Sequence, residues 1–187
     1  MQHYIDIRLR ADPEVAPAHV MAALYTRLHR LLVKLNGDSI GVSFPGYDAR
    51  VPTLGTTMRL FGPLEPLEQL VNLPWLGATR DHVEISQTRP VPPDAPHRAL
   101  RRVQVKSGPA RLRKRLMKRH QLSESQALER IPDSAARHSA LPFVSLTSAS
   151  TGQQFRLFLE LGAESPQAIP GAFNFYGLSA AGTVPWF

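Results

Sequence analysis

HYIDIRLR, residues 3–10, sets the reading of the fold. Ile5, Ile7 and Leu9 alternate with Asp6, Arg8 and Arg10, the period-two pattern of a strand with one buried face. Residues 16–35 switch to helical spacing, with Leu24, Leu28, Leu31 and Leu35 recurring on one face. Asn36-Gly37 closes that helix, the glycine being suited to the left-handed cap conformation. Ile40, Val42 and Phe44 alternate again before a turn at Pro45-Gly46, and Thr56 to Phe61 reads as a third strand. Leu64, Leu67, Leu70 and Val71 mark a short helix stopped near Pro74, and His82 to Ser86 a fourth strand. The order over residues 3–88 is therefore β-α-β-β-α-β, the ferredoxin-like pattern of an α+β protein. It includes the RRM-like platform of many RNA-binding modules but serves unrelated enzymes too, so it fixes no function.

Pro90, Pro92, Pro93 and Pro96 crowd one short stretch and predict a boundary, with domains at 1–95 and 96–187. Beyond it, Leu100 to Val105 is a strand candidate. Pro109 opens a helix running to His120, since proline is tolerated at the first helical position. Ser123 and Gln126 fit a capping box for a further helix ending near Pro132. Phe143 to Leu146 and Phe155 to Leu159 predict strands, and Gly171, Gly177 and Gly182 punctuate an irregular end.

With 187 residues, 43% hydrophobic and 20% charged, the chain reads as globular. It has no cysteine, which excludes disulfides, thiolate nucleophiles and thiolate metal sites. No apolar run is long enough to span a membrane, and MQHYIDIRLR has no signal-peptide core. A cytoplasmic protein without membrane association is the expectation.

The charge is concentrated. The net charge is +7, yet residues 98–119 alone carry ten Lys/Arg and no Asp or Glu. Six of those cations fall within residues 111–119. Arg111, Lys114, Arg115, Lys118 and Arg119 lie away from a stripe marked by Leu112 and Leu116. Like charges on one helix repel, and a nucleic-acid backbone offsets that cost by counterion release. A basic solvated face is the plainer alternative. The exposed side lacks the apolar wedge of a membrane-surface helix, and no helix-turn-helix unit supports a DNA-binding protein. Arg102 and Gln104, two apart on a strand, would point the same way. Arg can read guanine and Gln adenine, but the spacing suits ordinary surface residues equally well.

No metal-ligand spacing, P-loop or nucleophile elbow occurs, so no metal and no cofactor is expected. His29 lies beside the first helix's apolar stripe, where a packing role is the commoner one. Ser148 sits in the hydroxyl-rich turn Thr147-Ser-Ala-Ser-Thr-Gly152. Phe155 follows, able to stack on a base or to join the core.

Several separated blocks carry a resemblance. The first comprises HYIDIRLR, Arg27-Leu-His-Arg30 and Ile40-Gly-Val-Ser-Phe-Pro45. The second comprises Arg102-Val-Gln-Val-Lys-Ser107, the helix Arg111 to His120 and Arg130-Ile-Pro-Asp133. The third comprises Leu141-Pro-Phe-Val144, Ser150-Thr-Gly152, Phe155-Arg-Leu-Phe158, Tyr176-Gly-Leu-Ser179 and Val184-Pro-Trp-Phe187. In this order, over nearly the whole chain, they resemble the type I-F CRISPR repeat endoribonucleases, the Csy-four (Cas-six-f) family.

The resemblance implies an N-terminal ferredoxin-like domain and a smaller C-terminal domain bearing an arginine-rich helix. It implies a metal-independent endoribonuclease that cuts precursor CRISPR RNA at the 3′ base of each repeat hairpin. The enzyme would stay bound to the mature crRNA and join the type I-F surveillance complex. The family's catalytic histidine falls on His29, its serine on Ser148 and its tyrosine on Tyr176. The groove-binding helix falls on residues 109–120, including Arg111, Lys114, Arg115, Lys118, Arg119 and His120. The base-reading pair falls on Arg102 and Gln104 and the stacking aromatic on Phe155, with Ser150 and Thr151 beside the scissile phosphate. Lys114 and Lys118 stand where better-known members are expected to carry arginine, which keeps the charge and loses the bidentate fork.

In the implied chemistry the RNA supplies its own nucleophile, a 2′-OH. Ser148 would align the ribose, His29 would take the proton, and Tyr176 would orient the imidazole by a hydrogen bond. The products would be a 2′,3′-cyclic phosphate and a 5′-hydroxyl. A catalytically silent hairpin-binding subunit of a CRISPR or transposon-associated complex is the alternative.

Overall fold

The computed structural model describes residues 1–104, 109–132, 140–148 and 151–187. Strand β1 (His3–Leu9) lies at the centre of the first sheet, followed by helix α1 (Pro17–Leu35), β2 (Gly41–Ser43), β3 (Thr57–Gly62) and helix α2 (Leu64–Asn72). A 3-10 turn (Gly77–His82) leads into β4 (Val83–Ile85) and the short β5 (Arg89–Pro90). The strand order is β2-β3-β1-β4, with β5 also pairing β1, and every pairing is antiparallel. This is the ferredoxin-like arrangement expected from residues 3–88.

A second antiparallel sheet follows, in the order β7-β8-β6-β9. It contains β6 (His97–Val103), β7 (Phe143–Thr147), β8 (Gln154–Ser165) and β9 (Val184–Pro185). Between β6 and β7 lie helices α3 (Pro109–His120) and α4 (Glu124–Arg130).

By packing, Met1–Val103 with Leu141–Phe187 form one compact unit and Gln104–Ala140 another. A cut at 95/96 separates the two sheets along the sequence, but both sheets share one core. That core joins Ile5, Ile7, Leu24 and Leu28 from the first half to Val144, Leu146, Leu157 and Leu159 from the second. Helix α1 packs against both β1 and β7, and its side chains bridge the two halves of the core.

Two expectations for the first half are corrected. Strand β1 is buried on both faces from Tyr4 to Ile7: Asp6, placed on a solvent face by the alternation, is 4% exposed and Tyr4 beside it 9%, whereas Arg8 is exposed as expected. The C-terminal end covers that face. Arg59 donates to both Asp6 carboxylate oxygens, at 2.6 and 3.0 Å, and to the Phe187 carbonyl at 2.6 Å. Its guanidinium lies 4.6 Å from the Tyr4 ring centroid and 4.1 Å from that of Phe187. The buried carboxylate is thus fully engaged, the condition under which a charge is tolerated inside a fold. At the end of α1 the left-handed residue is Asn36 (φ 51°) and not Gly37. The Gly37 N–H closes the cap on Leu32 O at 2.9 Å.

The Gln104–Ala140 unit has α3 packed on α4. Ser123 and Gln126 form the expected capping box. Leu112 and Leu116 are half-buried, and Arg113 turns inward to donate to the Ile131 carbonyl at 2.8 Å. The other five Lys/Arg of α3 and His120 are exposed. His120, Lys118 and Arg119 occupy the last turn, where positive charge complements the helix dipole.

Candidate active site and nucleic-acid interface

His29 lies in the penultimate turns of α1, half-buried at the margin of its apolar stripe. The loop before β9 folds back over it. The Tyr176 ring stacks flat on the imidazole, with centroids 3.8 Å apart and planes 3° from parallel. His29 Nδ1 lies 2.9 Å from the Phe175 carbonyl, 146 residues away in sequence. A carbonyl only accepts, so Nδ1 carries the hydrogen in this contact. In the neutral ring the lone pair is then on Nε2. The imidazole is therefore oriented by ring stacking and a main-chain carbonyl, in place of the hydrogen bond expected from the Tyr176 hydroxyl.

The loop itself is heavily constrained. Asn174 Oδ1 accepts from the Tyr176 and Leu178 N–H groups at 2.8 and 3.3 Å. The Gly177 N–H donates to Asn174 O at 2.8 Å, and Val42 N–H donates to Gly177 O at 2.9 Å, tying the loop to β2. Gly177 has φ +67°, and a Cβ there would sit 2.4 Å from Val42 Cγ2. From below, the buried Tyr25 hydroxyl donates to Tyr176 O at 2.7 Å. Burial, with Tyr176 as a lesser contributor, raises the Tyr25 phenol well above its ordinary value, so it remains a donor. Tyr25, Asn174 and Phe175 were not singled out from the sequence, and Gly177 was read only as punctuation of an irregular end. The Asn174-to-Leu178 loop has no period, and its partners lie more than a hundred residues away.

Ser148 follows β7 at the start of the hairpin to β8. Its N–H donates to Gln153 O and its carbonyl accepts from the Gly152 N–H, both at 2.9 Å, and its Oγ accepts from the Thr151 N–H at 3.3 Å. Gly152 takes φ +67°. Ser150 lies outside the described residues, as does Val105 at the expected end of β6.

Arg102 is exposed near the end of β6, opposite Leu159. Its guanidinium lies 5.8 Å from the Phe155 ring centroid. Phe155 is half-buried, packed partly against the core with the rest of its surface open. Strand β6 ends at Val103, and Gln104 follows directly after it. On α3, Arg115, Lys118 and Arg119 rim a groove floored by Leu112, Leu116 and Ile131. Among the described residues, no cluster of three or more His, Asp or Glu is placed to hold a metal ion, and no helix is long and apolar enough to cross a membrane.

The family model for CRISPR-associated protein (Cas_Csy4) matches residues 4–187. The chain belongs to this family. It is 50% identical over 187 residues to the CRISPR-associated endonuclease Cas6/Csy4 of Pseudomonas aeruginosa (strain UCBPP-PA14), with all of both chains covered. It is 41% identical over 187 residues to the CRISPR-associated endonuclease Cas6/Csy4 of Escherichia coli (strain UTI89 / UPEC), again with both covered in full. The resemblance drawn from the sequence blocks is therefore membership of the Cas_Csy4 family.

Proposed function

We propose that this protein is a crRNA-processing endonuclease that cuts precursor CRISPR RNA at the 3′ base of the repeat hairpin, without a metal, and stays bound to the product. The two Cas6/Csy4 endonucleases that match it end to end support the activity class. The observation that carries the mechanism is the His29 imidazole, held between Tyr176 and the Phe175 carbonyl 2.9 Å from Nδ1, a contact that calls for the hydrogen on Nδ1.

Nε2 is then the atom that can accept a proton. In the proposed reaction it takes the hydrogen of the 2′-OH beside the scissile phosphate. The 2′ oxygen bonds to phosphorus and the bond from phosphorus to the 5′ oxygen breaks; the leaving 5′ oxygen takes a proton from water, His29 returns its proton to solvent, and a 2′,3′-cyclic phosphate and a 5′-hydroxyl result. Ser148 holds the ribose so that its oxygen lines up with the phosphorus, a contribution of positioning. Tyr176 keeps the imidazole in place by stacking. Thr151 and Ser150 flank the phosphate.

The hairpin is gripped by the second part of the chain. Arg111, Lys114, Arg115, Lys118, Arg119 and His120 contact phosphates along one groove. Most contacts are to phosphate, because an A-form major groove is too narrow for general side-chain reading. Phe155, with Arg102 over its ring, forms the platform for the base of the stem, and Gln104 adds a base contact. In this division residues 1–95 supply the proton acceptor and residues 96–187 most of the RNA grip. The product-bound enzyme serves in the cytoplasm as a subunit of a type I-F surveillance complex.

The test is a labelled type I-F repeat RNA incubated with the protein in excess EDTA, beside the same RNA carrying a 2′-deoxy at the cut site. The proposal requires a single cut at the 3′ base of the hairpin that the 2′-deoxy blocks. Tight binding with no cut would mark a silent hairpin-binding subunit, and cutting of the 2′-deoxy RNA would refute the 2′-OH mechanism.

A further inference from the structure

Helix α1 carries Arg27, Arg30 and Lys34 and no Asp or Glu. Like α3 it is basic and free of acids, and hairpin binding through α3 leaves its cations unused. At 3.6 residues per turn, positions 27, 30 and 34 fall on one flank of α1, and His29 on the other side of the buried stripe. A groove of about 410 Å³ lies along that cationic flank, with Leu31 and Leu35 among its apolar lining.

Trp75 forms one wall and is half-buried, its ring fixed by a 2.9 Å bond from Nε1 to the Leu70 carbonyl. Arg27 Nη1 donates to the Trp75 carbonyl at 3.5 Å. Arg30 and Lys34 are exposed and, among the described residues, take part in no salt bridge. No carboxylate lines the groove. A fixed aromatic face beside unpaired cations is the combination that holds single-stranded nucleic acid, with a base on the ring and phosphates on the cations.

We propose that this groove is a second RNA subsite, which takes a nucleotide of the single strand flanking the hairpin. A base stacks against Trp75 and the neighbouring phosphates sit on Arg30 and Lys34. The inference rests on the hairpin-endonuclease reading. A helix with its side chains is about 10–12 Å across, so a strand leaving the His29 site reaches the groove within a few nucleotides. The subsite would let the enzyme bind a repeat embedded in a long precursor more tightly than an isolated hairpin.

Three RNAs test this: the hairpin alone, the hairpin with a 5′ single-stranded flank, and the hairpin with a 3′ flank. Each is titrated against the full-length wild-type protein and the Arg30→Gln/Lys34→Gln variant. Both substitutions are exposed and leave the Trp75 contacts in place. One flank should tighten wild-type binding on the order of tenfold, as one stacked base does. The double variant should lose that gain and bind the bare hairpin as the wild type does.

Equal weakening of all three RNAs, or a flank gain that survives the substitutions, would overturn the subsite. A poly-glutamate peptide is the second probe. Its binding to the wild type but not to the variant, with no flank effect, would replace the RNA by an acidic protein partner. If the wild type fails to bind even the bare hairpin, the endonuclease reading itself falls.

Discussion

Gly177→Ala tests whether the loop over His29 is held where it is by necessity. The residue sits at φ +67°, where a Cβ costs about 1–2 kcal/mol. That Cβ would also lie 2.4 Å from Val42 Cγ2, 3.1 Å from Val42 Cβ and 3.2 Å from Val42 N. Val42 cannot move aside easily, because it is fully buried and its N–H is bonded to the Gly177 carbonyl. Overpacking of this kind costs about 1–3 kcal/mol. The two effects together predict a loss of about 2–5 kcal/mol in a urea melt, a large part of a domain's net stability. If the fold survives by shifting the loop, the Phe175 carbonyl leaves His29 Nδ1 and the imidazole loses its fixed tautomer. Single-turnover cleavage should then fall at least tenfold while hairpin affinity stays near wild type. In a Val42→Ala background, which removes Cγ2 but keeps the contacts to Cβ and N, the cost of Gly177→Ala should shrink toward the backbone contribution of about 1–2 kcal/mol. A Gly177→Ala protein with wild-type stability and cleavage would refute the reasoning.

Other outcomes follow from the same geometry. Arg59→Ala removes both hydrogen bonds to the 4%-exposed Asp6 carboxylate and leaves it only the looser 3.6 Å pairing with exposed Arg8, so stability should drop by about 3–5 kcal/mol. Replacing both, Asp6→Leu with Arg59→Met, should recover much of that loss in the same melt. Burial of the His97 ring, helped by repulsion from the chain's amino terminus, lowers its pKa from 6.5. The unfolded chain therefore takes up this proton first as pH falls. The His97 contribution is fully present above about pH 6.5 and is lost progressively below it. His97→Gln should flatten stability against pH in that window, and an unchanged slope would contradict the assignment. Lys118→Ala with Arg119→Ala should make the log K against log salt plot for the hairpin shallower by roughly 1 for each lost phosphate contact; an unchanged slope would remove α3 from the RNA interface.

The elements with a clear period were legible in the sequence. The alternation of β1 and the leucine stripe of α1 announced themselves, and the Ser123 and Gln126 capping box was readable because its chemistry is local. What failed to show was long-range. Strands β5 and β9 are two residues each and exist only through their pairing with β1 and β6. Strand β8 runs on to Ser165, past Leu159, through Glu160, Gly162 and Glu164, whose composition carries no strand signal. The burial of Asp6 depends on Arg59 and Phe187, so alternation in β1 placed it in solvent. At the site, residue types alone gave His29 a packing role, and the family resemblance singled it out. Its stacking on Tyr176 and its bond to Phe175 arise from a loop that nothing near His29 encodes.

The most direct measurement is His29→Ala on the repeat hairpin, with cleavage rate and dissociation constant determined on the same preparation. General-base catalysis by Nε2 predicts a fall in cleavage of about 10²–10⁴-fold or more, with hairpin affinity within a few-fold of wild type. Cleavage at the wild-type rate by the alanine variant would contradict the assignment of His29 as the proton acceptor.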